Sequence, residues 1–356
     1  MNIRSLIDPF LLIPIIGLST ISLFLIVSTT PTLFISQVIS IVLGIIGFLI
    51  ISSIDISLWP RFTRFLYILC LVFLLSSFLG STIRGSHRWI EIFGTQFQPS
   101  EFIKPFMILI FSALFSRFKP TSVSGVLRNL AVFLPFFIII FRQPDLGNAI
   151  VFLFFFLSLI IAAGLPWKWF FAVLLIFIVL APSFWLVMHN YQRQRIITFL
   201  NPEHDPLGSG YNTIQAVISI GSGGLTGLGL GKGTQSRLLF LPEYHTDFVF
   251  ASLVEELGFL GGFMTLLFYT MLLLRIVWIG FHSQVSYGWY FTLGLFSQLF
   301  IQIVINIGMN MGLLPITGIT LPLISYGGSS IISTFIGLGF LISIKRYTTR
   351  DLLVIS

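Results

Sequence analysis

The 356-residue chain is 56% hydrophobic and 9% charged, with a net charge of +7 and a mean hydropathy of +1.01. A soluble domain carries about 25% charged residues, so composition excludes a soluble globular protein and points to an integral membrane protein. The one cysteine, Cys70, excludes an intrachain disulfide or a cysteine metal cluster. In its apolar run it reads as a small core residue.

Ten apolar runs approach the roughly 20 residues that cross a bilayer, at about 10–28, 33–53, 63–81, 101–117, 129–141, 148–164, 167–188, 248–274, 287–309 and 327–345. The fifth is short, and the eighth is long enough to tilt or to extend past the bilayer. Continuous runs without two-residue alternation favour helices over a barrel. The first run lacks a small-residue cleavage site and is followed by further spans, so it reads as a span and not as a cleaved signal. The expected fold is an all-α polytopic membrane protein, one membrane domain over 1–356, with a long extracytoplasmic loop (189–247) before the eighth span.

Orientation follows from charge. With the N-terminus in the cytoplasm, eleven of the nineteen Lys and Arg but only three of the twelve Asp and Glu fall inside. Ten spans return the C-terminus to the cytoplasm. The excess positive charge faces the anionic inner leaflet, which leaves no basic patch for nucleic acid.

The outer segments hold most of the polar side chains. The first (82–100) and the start of the fourth span contribute Arg84, Arg88, Glu91, Gln98, Glu101 and Lys104. Pro99-Ser100-Glu101 is a helix start, with Glu101 in a first turn whose dipole suits its charge. Lys104 then lies one turn deeper, either facing the outer cavity or snorkelling to the interface. The next loop reads FRQPDLGN, with Arg142 and Asp145 three residues apart. They form either a local ion pair or, with Gln143, part of the outer cavity.

The most polar stretch is 201–262, which holds six of the twelve acids and packs seven glycines between Gly221 and Gly233. The loop before it is too long to be plain linker; short surface helices joined by glycine turns are expected. GLGLGKGT invites a nucleotide reading, but the spacing to Gly-Lys is wrong and Gly233 stands where a phosphate loop needs Ser or Thr. Its amides, with Lys232 as counter-ion, suit a lipid phosphate. LPEYHTDF follows. Asp247 is either a helix N-cap or a base at the junction of water and hydrocarbon, where partial desolvation raises a carboxylate's pKa toward a useful value. Asp247, Ala251, Glu255, Gly258 and Gly262 recur at spacings of three and four, one helix face. Glu255 lies about 12 Å below Asp247 at 1.5 Å per residue, and Glu256 points roughly 100° away. After the ninth span, Pro315, Gly318, Pro322, Gly327 and Gly328 interrupt the apolar pattern; non-helical backbone at such depth needs protein or a cavity beside it. No HExxH or other zinc spacing occurs, and the five histidines are scattered.

Together these stretches resemble the SEDS family (shape, elongation, division and sporulation). The resemblance runs over most of the chain, through GSHRWIEIFGTQFQPSEFIKP, RQPDLGNA, DPLGSGYNTIQAVISIGSGG, GKGTQSRLLFLPEYHTDFVFASLVEELGFLGG and GMNMGLLPITGITLPLISYGGSS. GTQS and GMxxGLLP look like the RodA branch, whereas ISYGGSS is common in the FtsW branch as well. The resemblance implies a peptidoglycan glycosyltransferase of the bacterial cytoplasmic membrane. It polymerises lipid II into nascent glycan for elongation or shape, with a class B penicillin-binding protein and other elongation or division proteins as partners. It places the essential aspartate of the HTDF motif at Asp247, and Arg88, Lys104, Glu101, Asp145 and Glu243 in matching motifs. Arg142, Lys232 and His245 complete the candidate substrate-binding set, with Glu255 in support. No cofactor is required by this reading, and a divalent cation, Mg or Mn, is compatible with it. The rivals are a lipid II flippase, a septal polymerase of the FtsW type, and a scaffold that only anchors its partner.

Overall fold

The computed structural model describes residues 8–80, 88–92, 95–166, 168–169, 171, 175, 179, 190–206, 208 and 210–355. Helices α1 (Pro9–Thr29), α2 (Phe34–Ser53) and α3 (Thr63–Leu75) lead to a small antiparallel hairpin, β1 (Ile90–Ile92) and β2 (Thr95–Phe97), paired Ile90 to Phe97. Then come α4 (Pro99–Phe102), α5 (Lys104–Arg117), α6 (Val123–Arg142) and α7 (Leu146–Ala162). Three short helices follow, α8 (Asn190–Leu200), α9 (Tyr211–Ser222) and α10 (Thr234–Arg237), and three long ones close the fold: α11 (Val249–Phe281), α12 (Gly288–Asn310) and α13 (Gly328–Ile355). This is a multi-pass membrane protein: among the described residues six helices are long and apolar enough to span a bilayer. Every expected span coincides with a helix except the seventh, 167–188, most of which lies outside the described residues, as do positions 81–87 with Arg84.

Helix α13 is the central post, with Leu338, Phe340, Leu341, Ile342 and Ile344 fully buried. It packs along α2, while α12 packs along α11, α7 and α5, and α1 along α11. Exposed apolar side chains such as Ile35, Phe65 and Leu274 cover the outside, as a lipid-facing surface requires.

Two of the spans that depart from their expected bounds do so for local reasons that the side chains make plain. The fifth begins at Val123 rather than 129, because its polar residues are satisfied in the first turns. Ser122 Oγ accepts from the Gly125 N–H at 3.2 Å, Asn129 donates to the Gly125 carbonyl at 2.9 Å, and Arg128 lies 4.7 Å from the Phe118 ring centroid. The eighth runs on past 274 to Phe281, because Arg275 is paired. Its guanidinium binds Asp8 Oδ2 at 2.8 Å and lies 4.0 Å from the Trp278 ring centroid.

Asp8 marks one edge of the apolar slab. It is 1% exposed and holds Lys345 at 2.8 Å as well as Arg275, joining the ends of α1, α11 and α13. At the other edge Ser28 donates to Glu256, joining α1 to α11 again. From Glu256 to Arg275 is about 28 Å of helix, and from Asp8 to Ser28 about 30 Å. Both match a hydrocarbon core of about 30 Å. Helix α11 therefore projects beyond the slab above Glu256, carrying its first turns and Asp247 out to the interface.

Candidate active site

Helix α11 is broken at Gly258, whose φ of 70° suits glycine alone. The glycine-rich loop between α9 and α10 seats its backbone in that break. Leu228 and Gly229 donate to the carbonyls of Glu255 and Glu256, and Phe259 and Leu260 donate to those of Gly224 and Leu225, all at 2.9–3.1 Å. A Cβ on Gly227 would stand 2.1 Å from the Glu256 carbonyl oxygen, which explains the glycine there.

The two acids fasten the loop. Glu255 is fully buried and accepts from the backbone of Gln235 at 2.7 Å and of Ser236 at 3.2 Å, and from the hydroxyls of Ser219, Ser236 and Thr234 at 3.0–3.3 Å. Glu256 accepts from the Gly231 N–H at 3.1 Å besides Ser28. Glu255, about 12 Å below Asp247 by helical count, stands at the edge of the slab and faces protein, sealed against the loop and α10.

Asp247 lies on a turn before α11. The N-cap position belongs to Phe248, so the capping alternative for Asp247 does not hold. The turn starts at Glu243, whose φ of 53° is uncommon for a side-chain-bearing residue. Glu243 receives the N–H groups of Thr246 and Phe248 on its carbonyl, both at 3.1 Å, and the Thr246 hydroxyl on its carboxylate at 3.0 Å.

Three consecutive carbonyls of this turn are then held from outside. That of His245 accepts from Tyr326 N–H at 2.8 Å, and that of Thr246 from Ser325 Oγ at 2.6 Å. The Asp247 carbonyl accepts from Asn306 at 3.0 Å and Asn310 at 2.9 Å. Asn310 also accepts from the Ala251 N–H at 2.9 Å, satisfying one of the orphan donors of a helix start. The Asp247 carboxylate faces Gly318, where a Cβ would lie 3.5 Å from Oδ2.

A second cluster gathers around Asp145, which is 1% exposed. Arg88 reaches it at 3.7 Å, Gln98 donates to it at 2.7 Å and Asn148 at 2.9 Å, with the Ser100 hydroxyl at 3.3 Å. The local Arg142–Asp145 pair does not form, because Arg88 takes that place and Arg142 is exposed. Gln143 turns away from the cavity and donates to Ser77 and the Leu74 carbonyl. Lys104 neither snorkels nor opens to solvent: it is 0% exposed and binds Glu101 at 2.6 Å.

The broken segment between α12 and α13 brings the two clusters together. Gly147 packs against Thr317 and Ile319, on either side of the Gly318 that faces Asp247. Gln98 N–H donates to Ser329 at 2.9 Å, and Ser333 donates to the Glu101 carbonyl at 2.7 Å. Lys232 is exposed on the glycine loop, and His245 is half-buried with its ring 5.8 Å from that of Tyr326. Among the described residues no group of three His, Cys, Asp or Glu side chains converges as a metal site.

Sequence reasoning did not single out Asn306, Asn310, Ser325, Ser329 or Asn148. A signal existed for two of them: Gln298, Gln302, Asn306 and Asn310 recur every four residues within an apolar span, and intramembrane amides mark function or packing.

Residues 2–350 match the family profile described as cell cycle protein, FtsW, RodA and SpoVE. The chain is 38% identical over 315 residues to peptidoglycan glycosyltransferase MrdB of Escherichia coli (strain K12), covering 86% of this chain and 84% of that protein. Among solved structures it is similar to the Thermus thermophilus rod shape determining protein RodA, with a TM-score of 0.72 and 27% identity over 95% of this chain and 96% of that one. It is also similar to a chain in a structure on the coordination of polymerization and crosslinking by a peptidoglycan synthase complex. There the TM-score is 0.85, with 29% identity over 97% of this chain and 99% of that one.

Proposed function

The chain belongs to the FtsW, RodA and SpoVE family, the SEDS proteins, and from that premise we propose how its site works. The protein is a peptidoglycan glycosyltransferase of the RodA kind, polymerising lipid II into glycan strands for cell elongation or shape. The observation that carries the mechanism is the Asp247 turn, three of whose carbonyls are held by the end of α12 and by the broken segment that follows it. A carboxylate carried on a backbone fixed so closely is a preorganised base.

In the reaction, Asp247 takes the proton of the acceptor's sugar hydroxyl. The freed oxygen bonds to the donor's anomeric carbon as the bond to the diphosphate breaks, and undecaprenyl diphosphate leaves with its electron pair. One such displacement inverts the anomeric centre. Arg88, Arg142 and Lys232 supply positive charge for the diphosphate. Lys104 is sealed against Glu101, so these two position the start of α5, while Asp145 orients Arg88. Glu243 and His245 shape the turn beside the substrate, and Glu255 holds the loop platform.

The membrane is the bacterial inner membrane, with both termini cytoplasmic. The Asp8–Arg275–Lys345 edge then faces the cytoplasm and Asp247 the outer surface, where a polymer must be built. The whole chain acts as one domain, with the 189–247 region as its outer loop. A class B penicillin-binding protein supplies crosslinking. A flippase would need a matched polar site toward the opposite face; there the buried charges serve as a staple between helices. The test is purified protein with its partner, given labelled lipid II in a bilayer. Glycan strands support the proposal; transbilayer movement alone, or neither, contradicts it.

A further inference from the structure

Polymerisation needs two sugar sites, one on each side of the base. On the α7 side of Asp247 the walls are closed: Asp145, Glu101 and Lys104 are all buried. The other side is open. There Arg195 donates to the Ile316 carbonyl at 3.0 Å, and α8, the start of α9 and residues 314–316 enclose a cavity of about 190 Å³ lined by Gln194, Thr198, Phe199 and Thr213. Thr213 also walls a second cavity of about 380 Å³, which runs on past Asn201, Glu203 and Met311. Ile316 packs against the cluster that contains Tyr244 and Phe248, which bracket Asp247. The Arg195 cavity and the Asp247 carboxylate thus flank the same short ridge, 316–318.

We propose that these joined cavities seat the growing strand, a chain of N-acetylated amino sugars, as it leaves the reaction centre. The inference rests on the polymerase reading above. The lining suits a sugar: ring and proline faces for the C–H surface, with amide, hydroxyl and guanidinium groups for the hydroxyls and acetamides. The direction follows from exposure. Gln194, Asn201 and Glu203 are exposed, so the seat opens to water and passes a polymer, whereas the α7 side presents buried side chains.

The test is Thr213→Trp, which fills the junction of the two cavities. Full-length protein with its crosslinking partner is given labelled lipid II in vesicles, and strand length is read on gels. Loss of grip on the strand raises its release rate, so mean strand length falls ~10-fold while lipid II consumption stays within ~3-fold of wild type. Strands of wild-type length overturn the proposal. So does loss of all coupling at an unchanged melting temperature, since the cavity would then belong to the reacting centre. If the tryptophan lowers the melting temperature, Gln194→Ala with Asn201→Ala, both exposed, carries the same expectations at ~3-fold shortening. Absence of polymer from the wild-type protein defeats the polymerase reading itself and is thereby told apart from failure of the groove.

Discussion

Replacing Asn310 by alanine removes three contacts of a fully buried amide: its bonds to the Asp247 carbonyl at 2.9 Å, to the Asn306 carbonyl at 2.7 Å and from the Ala251 N–H at 2.9 Å. The Asp247 carbonyl keeps Asn306, but the Ala251 N–H loses the side chain that capped it. Net losses of about 1 kcal/mol for each of the two donated bonds, with about 1–3 kcal/mol for the stranded Ala251 donor, give about 3–5 kcal/mol of destabilisation. The turn then has one amide holding Asp247 where it had two. A base displaced by about 1 Å costs about 100-fold in rate. Asn310→Ala is therefore expected to lower the turnover number of lipid II polymerisation ~100-fold while KM stays within ~3-fold. Wild-type turnover alongside the expected loss of melting temperature would refute the claim that the amides position the base.

Other outcomes follow from the same geometry. Glu255→Gln replaces one of the two accepting oxygens by an NH2 donor, which meets the Gln235 N–H on one side or the Ser236 N–H on the other and frees the glycine loop; tryptic cleavage at the exposed Lys232 and Arg237 is expected to speed up ~10-fold or more. Removing one member of the buried Lys104–Glu101 pair costs about 3–5 kcal/mol, whereas Lys104→Met with Glu101→Leu recovers most of it; a melting-temperature cycle measures this. Burial raises the Asp8 carboxyl, but hydrogen bonds and charge from Arg275 and Lys345 outweigh it and hold the group below its ordinary 3.8. A depressed carboxyl stabilises the fold above its unfolded value and stops doing so as pH falls from 3.8 through the lower folded value. Between pH 5 and pH 3, melting of the wild-type protein is thus expected to fall more steeply than that of Asp8→Asn, which lacks this component.

The helices were legible because lipid leaves one solution for the backbone, and a run of apolar residues announces it. Misplaced boundaries arose where polar residues had found partners, as with Asn129 and Arg275, and periodicity alone cannot see a partner. The candidate site was legible in its acids and cations, which stand out in an apolar chain. Their pairing was not: Asp145 chose Arg88 across 57 positions of sequence over the neighbouring Arg142. Glu255 shares a helical face with Asp247 by count, yet Gly258 and the seated loop give it a different occupation. Gly227 and Gly258 explain each other only once the two backbones are seen together.

The central claim is that Asp247 is the base, and Asp247→Asn tests it most directly. The variant keeps the size of the side chain and the carbonyl that Asn306 and Asn310 hold. Assayed with its partner on labelled lipid II, it is expected to insert and bind partner normally while making no detectable glycan. Strands formed at near the wild-type rate would contradict the account.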